Sequence, residues 1–530
     1  MDNQPLHPEL IANLRAQGVD LDRLTRFLED LNAGKFGNAP SGGPYSFPPA
    51  NHPAVVDISR GASFELPERI ARERAASLGV DLDRLVHPAR MREGAALFDA
   101  ESLREVGMRL YPKAAFGVLN GGAATSYVDF KKNRALAEGL FDQYADRFTA
   151  SSELYRHQPK GIAPAYFNED GSSGESFLFL KLRMLARARL DCARLTGFPA
   201  TEALPFFQMT SVHTDAAVAE ALRSYSGRPD MEELARATGS DPCASLTACQ
   251  TMMAAITHSG EGSPRRVFDR AWGKEHSPLA MPGGHGQNFE VLASVYRELY
   301  TRGIRFVWLG NIDNLGFTVD PVSLATLALG GNDASFEFSA RTPMDVKGGV
   351  LVSDAAGRFT CADIGPAIGM EEVLSFERSG GRVFFNCGLG LFNLARLIEL
   401  LDELPYRLPL RITDQDKDAG RYAQAEQITW EIIGLLDDPL FLVVDKRKRF
   451  LAAKMLMETL LTSLPPPDGS GGSATGADSL SAGAGGPTGG DGGSTDVAAV
   501  SRSLHEGLVS LLEGEYAMRR DGPRWVMADH

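Results

Sequence analysis

Hydrophobic and polar positions change their pattern near residue 112, and this change divides the chain into regions. Residues 1–110 carry stretches with polar faces that predict a helical region. Beyond them, short apolar runs such as AFGVLN, PFFQMTS, IRFVWLGNID, GGVLVSD and RVFFNCGLGLFNL alternate with helical stretches such as SFLFLKLRMLARARL. Strands that alternate with amphipathic helices predict an α/β fold, in which helices cover a mainly parallel sheet.

The pattern changes again toward the C-terminal end. Residues 111–405 form the predicted central domain, and residues 406–464 are expected to complete its site. Residues 465–497 are rich in Gly, Ser and Ala, with almost no apolar content, and are predicted to be a disordered linker. Residues 498–530 are assigned to a C-terminal helix and tail, with an amphipathic stretch from 497 to 515. Docking back onto the domain and self-association both stay open for this tail.

Composition excludes several classes of function. The 530 residues carry a formal net charge of -14, which argues against nucleic acid or an anionic membrane as the main partner. There is no apolar leader at the N-terminus and no run of about 18 apolar residues, so neither a signal peptide nor a membrane span is expected. The five cysteines form no CxxC pair, which predicts reduced thiols in the cytoplasm. HExxH spacing is absent, so zinc is not expected.

Polar motifs stand where the predicted strands end, which is where such sheets bind ligands. The first is LNGGAATS, followed by Lys131 and Lys132. Its glycines let backbone N–H groups approach a ligand closely, while Thr125, Ser126 and a lysine offer donors to phosphate oxygens. A tight strand-to-helix turn is the alternative interpretation. The segment is neither GxxxxGK[ST] nor GxGxxG.

Four further motifs add chemistry at strand ends. PGGHG places His285 between glycines, on approachable backbone or in a plain surface turn. GNIDNLG places Asp313 where a carboxylate can hold Mg²⁺ beside phosphates, or where it caps a helix. TPMDVKGG contributes Lys347, and DKRKRFLAAK contributes Lys454 after an apolar strand. Basic runs usually form a solvated face, and a lysine that returns to the strand ends is the alternative.

In this order, LNGGxxTS, MTS, PGGHG, NIDNLG, DVKGG, FFNCGLGLFNL and RFLAAK resemble the UTP–glucose-1-phosphate uridylyltransferases, over about residues 110–460. The resemblance implies a nucleotide-diphospho-sugar transferase fold, a Rossmann-like mixed sheet of the GT-A type with helices on both faces. An N-terminal helical region and a C-terminal extension flank the nucleotidyltransferase domain. It also implies UTP and a sugar 1-phosphate as substrates, Mg²⁺ as cofactor, and attack on the UTP α-phosphorus. No nucleic-acid or membrane partner is implied, and the oligomeric state stays open.

The resemblance also implies a role for individual residues. The glycine turn under the uridine would be Leu119, Asn120, Gly121 and Gly122, the uracil-reading glutamine would be Gln250, and the glycine loop on the nucleotide would include Gly284 and His285. The one metal carboxylate would be Asp313, the two sugar contacts would be Asp363 and Asn386, and the two catalytic lysines would be Lys132 and Lys454. For Gln250, an ordinary helix-face glutamine is the alternative, and Lys347 is a lesser candidate for the late lysine.

Two departures from the family pattern affect these assignments. The pattern reads LNGGLGTSMG and then a lysine after a proline, whereas here Asp129-Phe130-Lys131-Lys132 stands in that place. We therefore predict Lys132, with Lys131 as the alternative. Asp363 stands where the family has Glu, and FFNCGLG lacks two asparagines, which affects the sugar more than the UTP. The leading prediction is UDP-glucose synthesis; another sugar 1-phosphate and a non-catalytic nucleotide-sugar-binding protein are the alternatives.

Overall fold

A computed structural model describes residues 6–37, 44–122, 127–136, 141–156, 158–342, 345–465 and 497–528. In the described part, the strands are β1 (Val55–Asp57), β2 (Ser63–Pro67), β3 (Arg90–Arg92), β4 (Ala95–Asp99), β5 (Ala114–Leu119), β6 (Phe206–Ser211), β7 (Leu246–Gln250), β8 (Met253–Ala254), β9 (Ile256–Thr257), β10 (Ala280–Met281), β11 (Phe306–Asn311), β12 (Ala334–Ala340), β13 (Gly348–Ser353), β14 (Phe359–Ile364), β15 (Phe384–Asn393), β16 (Arg411–Lys417), β17 (Gly420–Glu426), β18 (Pro439–Val443), β19 (Met518–Asp521) and β20 (Arg524–Met527).

The α-helices of the same residues are α1 (Pro8–Ala16), α2 (Leu21–Asn32), α3 (Glu68–Ser77), α4 (Ala100–Arg109), α5 (Phe130–Leu136), α6 (Phe141–Tyr155), α7 (Phe177–Thr196), α8 (Asp215–Ser226), α9 (Pro229–Thr238), α10 (Asn288–Val291), α11 (Ala293–Thr301), α12 (Pro321–Gly330), α13 (Met370–Arg378), α14 (Leu394–Leu400), α15 (Leu404–Arg407), α16 (Lys446–Arg449), α17 (Leu456–Ser463) and α18 (Val497–Gly514). Sequence signals set their ends. At the start of α7, for example, the Ser176 hydroxyl accepts from the Phe179 N–H at 3.2 Å, and Gly197 ends the helix with a φ of +71°.

A ten-stranded mixed sheet forms the centre of the fold. Its strand order is β1-β18-β12-β15-β11-β5-β6-β7, and β13 and β14 extend from β15. Four strands, β11, β5, β6 and β7, lie side by side in this order and run parallel to one another. In contrast, β15 is antiparallel to both β11 and β12. The predicted mixed α/β sheet is thus confirmed, since both β15 and β14 run against the other strands.

Successive residues of the central strands face two different cores, as the two-residue period of a strand requires. Phe116 and Trp308 lie in one core with the helices α4, α7 and α12, while Ala115 and Val307 lie in the other with α11 and α14. All four of these side chains are buried. Helices therefore cover both faces of the sheet, and chemistry is left to its edges and strand ends.

The flanking regions differ in part from the prediction. Residues 1–110 contain helices, but they also contribute β1 to the central sheet and form a small sheet in the order β2-β4-β3. The predicted C-terminal helix is confirmed as α18, and it docks back onto α16 and α17. Most of the predicted linker, residues 466–496, lies outside the described residues. Among the described helices, none is both long and apolar enough to cross a membrane.

Candidate active site

Four parallel strands end at one edge of the sheet. The register pairs Leu119 of β5 with Asn311 of β11 and with Met209 of β6, and it pairs Ser211 of β6 with Gln250 of β7. The residues after these strands are therefore neighbours in space, although they are far apart in sequence. Ligands bind at such carboxyl ends in open α/β sheets, so this edge is the candidate site.

The glycine turn after β5 is fixed from below. The backbone N–H of Asn120 donates to the Met209 carbonyl at 2.8 Å, and its buried side chain donates to the Gln208 side-chain oxygen at 3.0 Å. A Cβ on Gly121 would lie 3.4 Å from the Thr210 carbonyl oxygen, so the turn lies in van der Waals contact with the end of β6. Leu119 to Gly122 thus lie at this edge of the sheet, and their place under the uridine stays a prediction. Thr125 and Ser126 lie outside the described residues.

Gln250 and the PGGHG loop form one wall of the site. The Gln250 side-chain nitrogen donates to the Gly284 carbonyl at 2.9 Å and to the Gln287 side-chain oxygen at 2.8 Å. Gly284 has a φ of +84°, and a Cβ there would lie 2.3 Å from the Gln427 carbonyl oxygen, so a side chain is excluded. The structure places Gln250 at the end of a strand, not on a helix face.

His285 of the same loop is held in its neutral form. Its Nδ1 accepts from the Thr429 backbone N–H at 3.1 Å, which leaves the proton of the neutral ring on Nε2. Burial lowers the pKa of His285 to about 4, and the positive charges of Arg411 and Lys454 act in the same direction. His285 therefore offers an uncharged N–H donor at neutral pH.

Asp313, two residues beyond β11, is paired with Lys160. The Lys160 ammonium lies 2.7 Å from Asp313 Oδ2. Burial acts to lower the pKa of Lys160, but the Asp313 carboxylate outweighs this effect, and the pKa lies above its ordinary value. The Lys160 backbone N–H also donates to the Gly122 carbonyl at 3.1 Å. This lysine therefore lies against both the glycine turn and the carboxylate.

Lys454 lies on the same side of the site. The N–H of the preceding residue, Ala453, donates to the Asp313 carbonyl at 3.1 Å, and the Lys454 side chain is exposed. The Lys454 backbone N–H donates to a carboxylate oxygen of Glu458 at 2.7 Å. Its charge is close enough to contribute to the lowered pKa of His285. We call Lys160, Asp313 and Lys454 the lysine centre.

Lys132, the first predicted catalytic lysine, is placed differently. It lies in the first turn of α5, where its backbone N–H donates to the Asp129 carboxylate at 2.9 Å. The side chains of Lys131 and Lys132 are exposed, and Lys347 is exposed as well. In the described part of the chain, the carboxylate of Asp313 pairs with Lys160 and with none of these three.

The sequence pattern holds a signal for Lys160 that the prediction missed. Pro159-Lys160 is a lysine after a proline, which is the feature expected after the glycine-rich segment. It occurs later in the chain because α5 and α6 intervene. A Cβ on Gly161 would lie 2.3 Å from the Asn120 side-chain oxygen, so the segment 159–161 packs directly on the glycine turn.

On the other side of the site, Arg411 joins two carboxylates. It lies 2.5 Å from Asp363 and 2.7 Å from Glu431, and we call these three residues the arginine cluster. Burial raises the pKa of Glu431, although Arg411 opposes this effect. The prediction included Asp363 but missed Arg411 and Glu431, since neither belongs to a glycine-rich or strand-end motif.

Asn386 adjoins the arginine cluster across Gly349. Its amide nitrogen lies 3.4 Å from the Cys361 sulfur, and its oxygen accepts from the Gly388 N–H at 2.8 Å. A Cβ on Gly349 would lie 3.6 Å from an Asp363 carboxylate oxygen and 3.8 Å from the Asn386 Cβ. The two predicted sugar contacts, Asp363 and Asn386, are therefore neighbours.

A divalent cation fits the lysine centre only together with a ligand. In the residues that the structure describes, the one group of three or more His, Cys, Asp or Glu side chains close enough to share an ion is His7, Glu9 and His276, away from this site. Among the described residues, Asp313 thus belongs to no such group of three. Mg²⁺ accepts such a site when water and phosphate oxygens complete its coordination.

Comparison with known proteins identifies a matching family. Residues 199–464, half of the chain, match the family model described as UTP–glucose-1-phosphate uridylyltransferase. Proteins of that name from Astragalus penduliflorus and Solanum tuberosum are each 29% identical over 182 residues, or 34% of this chain. The chain spans only 38% of the length of these relatives.

Solved structures extend the likeness in fold. The chain is similar to a UDP-glucose phosphorylase from Trypanosoma brucei, with 19% identity and a TM-score of 0.51, over 86% of this chain and 77% of that one. It is also similar to the uridine diphosphate N-acetylglucosamine pyrophosphorylase of Trypanosoma brucei, with 17% identity and a TM-score of 0.53, over 84% and 75% of the two chains.

Proposed function

The chain belongs to the UTP–glucose-1-phosphate uridylyltransferase family, and we propose that it makes UDP-glucose and pyrophosphate from UTP and glucose 1-phosphate. The observation that carries this proposal is the Lys160–Asp313 pair beside the glycine turn. It brings a cation-binding carboxylate and a phosphate-binding ammonium to one place. Transfer at phosphorus depends mainly on such positioning and charge stabilisation.

In the proposed reaction, a phosphate oxygen of glucose 1-phosphate attacks the α-phosphorus of UTP. The bond between that phosphorus and the oxygen that bridges to the β-phosphorus breaks, and pyrophosphate leaves with the bond's electrons. Lys160 and Lys454 donate to phosphate oxygens as their negative charge shifts during transfer. Lys160 exchanges its Asp313 partner for phosphate when the nucleotide binds.

The wall of neutral groups suits the uridine half of UTP. Both described hydrogen bonds of Gln250 use its nitrogen, so its side-chain oxygen is the group that would accept the uracil N3–H. His285 donates through Nε2 without adding charge. A base is thus read by hydrogen bonds whose partners keep their protonation state across the neutral pH range.

We further propose Mg²⁺ as the cofactor, with Asp313 as its protein ligand. When bound, the ion would neutralise part of the phosphate charge and orient the phosphates for attack. The free thiols of all five cysteines support a cytoplasmic location, since such thiols persist in a reducing compartment.

Another sugar 1-phosphate is the second candidate substrate, and the arginine cluster motivates it. Asp363 is one methylene shorter than the glutamate of the family pattern, and Arg411 already engages it at 2.5 Å. A sugar hydroxyl therefore meets a carboxylate that reaches less far and has less of its hydrogen-bond acceptor capacity free. Galactose 1-phosphate and N-acetylglucosamine 1-phosphate are the variants to compare with glucose 1-phosphate.

The test is pyrophosphate release by the full-length protein with UTP, Mg²⁺ and each of these sugar 1-phosphates. Activity with glucose 1-phosphate that Asp313→Asn and Lys454→Ala both reduce at least a hundredfold is expected. Preference for another sugar would select the second candidate. Binding of UTP or UDP-glucose without pyrophosphate release from any sugar would instead indicate a nucleotide-sugar-binding protein.

A further inference from the structure

The last described segment, residues 497–528, packs against α17 and against the loop that follows Asp313 of the lysine centre. We call this segment the C-terminal clasp. It consists of α18 and the hairpin β19–β20. The Ser501 hydroxyl donates to the Leu461 carbonyl at 2.6 Å, which anchors the helix on α17. Tyr516, between the helix and the hairpin, is 1% exposed and therefore belongs to the interior of the domain.

The Tyr516 hydroxyl reaches the loop that carries Asp313. It donates to the Leu315 carbonyl at 2.6 Å and accepts from the Lys181 ammonium at 2.7 Å. Lys181 is fully buried, and it donates in turn to the Asn314 carbonyl at 2.8 Å and to the Phe317 carbonyl. Tyr516 and Lys181 thus act together on the segment directly after Asp313.

This arrangement holds the loop by its main-chain carbonyls. The Asp313 carbonyl accepts from Ala453, and the next two carbonyls accept from Lys181. None of the described ion pairs includes Lys181, and burial lowers its pKa well below the ordinary value, so the carbonyls and the Tyr516 hydroxyl are the hydrogen-bond partners of its side-chain nitrogen. If the buried nitrogen lost one of these oxygens, it would pull the loop toward a new arrangement, because a buried polar group without its partner is costly.

The clasp itself is fixed at Tyr516. Arg183 donates to the Tyr516 carbonyl at 2.5 Å and to the Ala528 carbonyl at 3.0 Å, so it joins the two ends of the hairpin. Ala517 has a φ of +45°, a backbone conformation that non-glycine residues rarely adopt. This local strain lies directly after the buried tyrosine.

We propose that Tyr516 is a positioning residue of the active site and that the C-terminal clasp is part of the catalytic unit. Through Lys181 and the Leu315 carbonyl, its hydroxyl holds the Asp313 loop in the geometry that the reaction uses. The inference rests on the proposed uridylyl transfer for its kinetic consequence. The mechanical link between the clasp and the loop does not depend on that reaction.

The test compares Tyr516→Phe with Tyr144→Phe in the full-length protein. Tyr144 is a matched control, since it is 5% exposed and its hydroxyl donates to the Leu464 carbonyl at 2.5 Å, away from the Asp313 loop. We expect Tyr516→Phe to lower kcat roughly tenfold with KM for UTP within about twofold, and Tyr144→Phe to leave both within about twofold.

Hydrogen exchange of peptides that cover residues 311–318 gives a readout independent of activity. We expect faster exchange there in Tyr516→Phe and unchanged exchange in Tyr144→Phe. Wild-type kcat or wild-type exchange in Tyr516→Phe would overturn the proposal. Should the wild type release no pyrophosphate, the proposed function fails, while the exchange comparison still decides whether the clasp holds the loop.

A milder variant covers the case in which Tyr516→Phe does not fold. Arg524, at an exposed position of the hairpin, pairs with Asp170 at 2.6 Å, and Arg524→Ala removes this pair. Looser docking of the hairpin should again speed exchange at 311–318 and lower kcat, by roughly twofold to threefold. Unchanged values in a folded Arg524→Ala protein would count against the clasp.

Discussion

The lysine centre and the arginine cluster lie on two sides of one site, but they balance their charges differently. In the lysine centre, Lys160 has one carboxylate partner at 2.7 Å, and Lys454 is exposed. In the arginine cluster, Arg411 lies between Asp363 and Glu431, so two carboxylates surround one cation. One side therefore has positive charge to spare, and the other has none.

This difference assigns ligands to the two sides. An anionic ligand gains from cations that are not yet fully paired, and we therefore propose that phosphate groups bind at the lysine centre. A neutral, hydroxyl-rich ligand gains from carboxylates held in a fixed direction, as Arg411 holds Asp363. In this proposal, the first side rearranges when its ligand binds, whereas the second is organised beforehand.

The largest effect is expected for Lys160→Met, with Lys132→Met as the matched control. Removal of the ammonium should lower kcat by roughly 100-fold to 1,000-fold, because charge stabilisation at the phosphates is lost. Lys132 lies in the exposed first turn of α5, so its variant should stay within about twofold. Steady-state pyrophosphate release measures both, and a larger loss in Lys132→Met would restore the original assignment.

Asp363→Asn tests the arginine cluster. It removes the charge that Arg411 orients, so KM for the sugar 1-phosphate should rise roughly tenfold to thirtyfold while KM for UTP stays unchanged. The control is Asp354→Asn, since Asp354 also pairs with an arginine, Arg358 at 2.9 Å, but on the surface. Equal effects on both substrates would mean that the two sides are not separate.

Gln250→Leu tests whether the wall formed by Gln250 and the PGGHG loop acts separately from the lysine centre and the arginine cluster. Loss of the side-chain oxygen should raise KM for UTP roughly tenfold, with a smaller change in kcat. Gln424→Leu is the control, because Gln424 donates to the Pro282 carbonyl at 3.3 Å on the outer side of the same loop. The wild type should discriminate against a UTP analogue methylated at N3, and Gln250→Leu should lose this discrimination.

The smallest effect concerns Glu458, which holds the backbone of Lys454. Burial raises the pKa of Glu458 from 4.5 to about 7. The folded protein therefore binds this proton more tightly than the unfolded chain, and the resulting stability is complete below pH 4.5 and is lost as the pH rises through about 7. Between about pH 5 and pH 8, the Tm of wild type should fall by roughly 2–4 °C relative to Glu458→Gln.

Glu105→Gln is the control for this pH dependence. Glu105 is also buried, but hydrogen bonds from backbone N–H groups and the pairing with Arg109 overcome burial and leave its pKa below the ordinary value. Its titration lies under the tested range, so the Tm curves of wild type and Glu105→Gln should run parallel. Parallel curves for Glu458→Gln would contradict the role of Glu458.

The sequence allowed prediction of those parts of the site that short motifs carry. Asp313, Gly284 and His285 each follow a recognisable apolar run or glycine cluster, and the register of the sheet then brings them together. Lys160 was missed because α5 and α6 separate it from the glycine turn, even though Pro159 precedes it. Local pattern does not reveal the length of an insertion.

The sequence alone could not predict the residues that only the tertiary structure brings to the site. Arg411 is the first residue of a polar hairpin, and nothing in RITDQDK distinguishes it from a solvated arginine. Tyr516 lies beyond the low-complexity segment, and its burial follows from docking alone. Likewise β1 has three residues, too few for a periodic pattern, and its place in the sheet follows from its partner β18.

The pairing of β1 with β18 also has a kinetic consequence. Val55 lies opposite Phe441, so the outer edge of the central sheet joins residues that are far apart in the sequence. Contacts of such wide sequence separation form slowly, because closing the intervening chain into a loop costs entropy before the contacts can stabilise it. We therefore expect this edge to be completed late in folding, with the strand β18 open to other chains until it is covered.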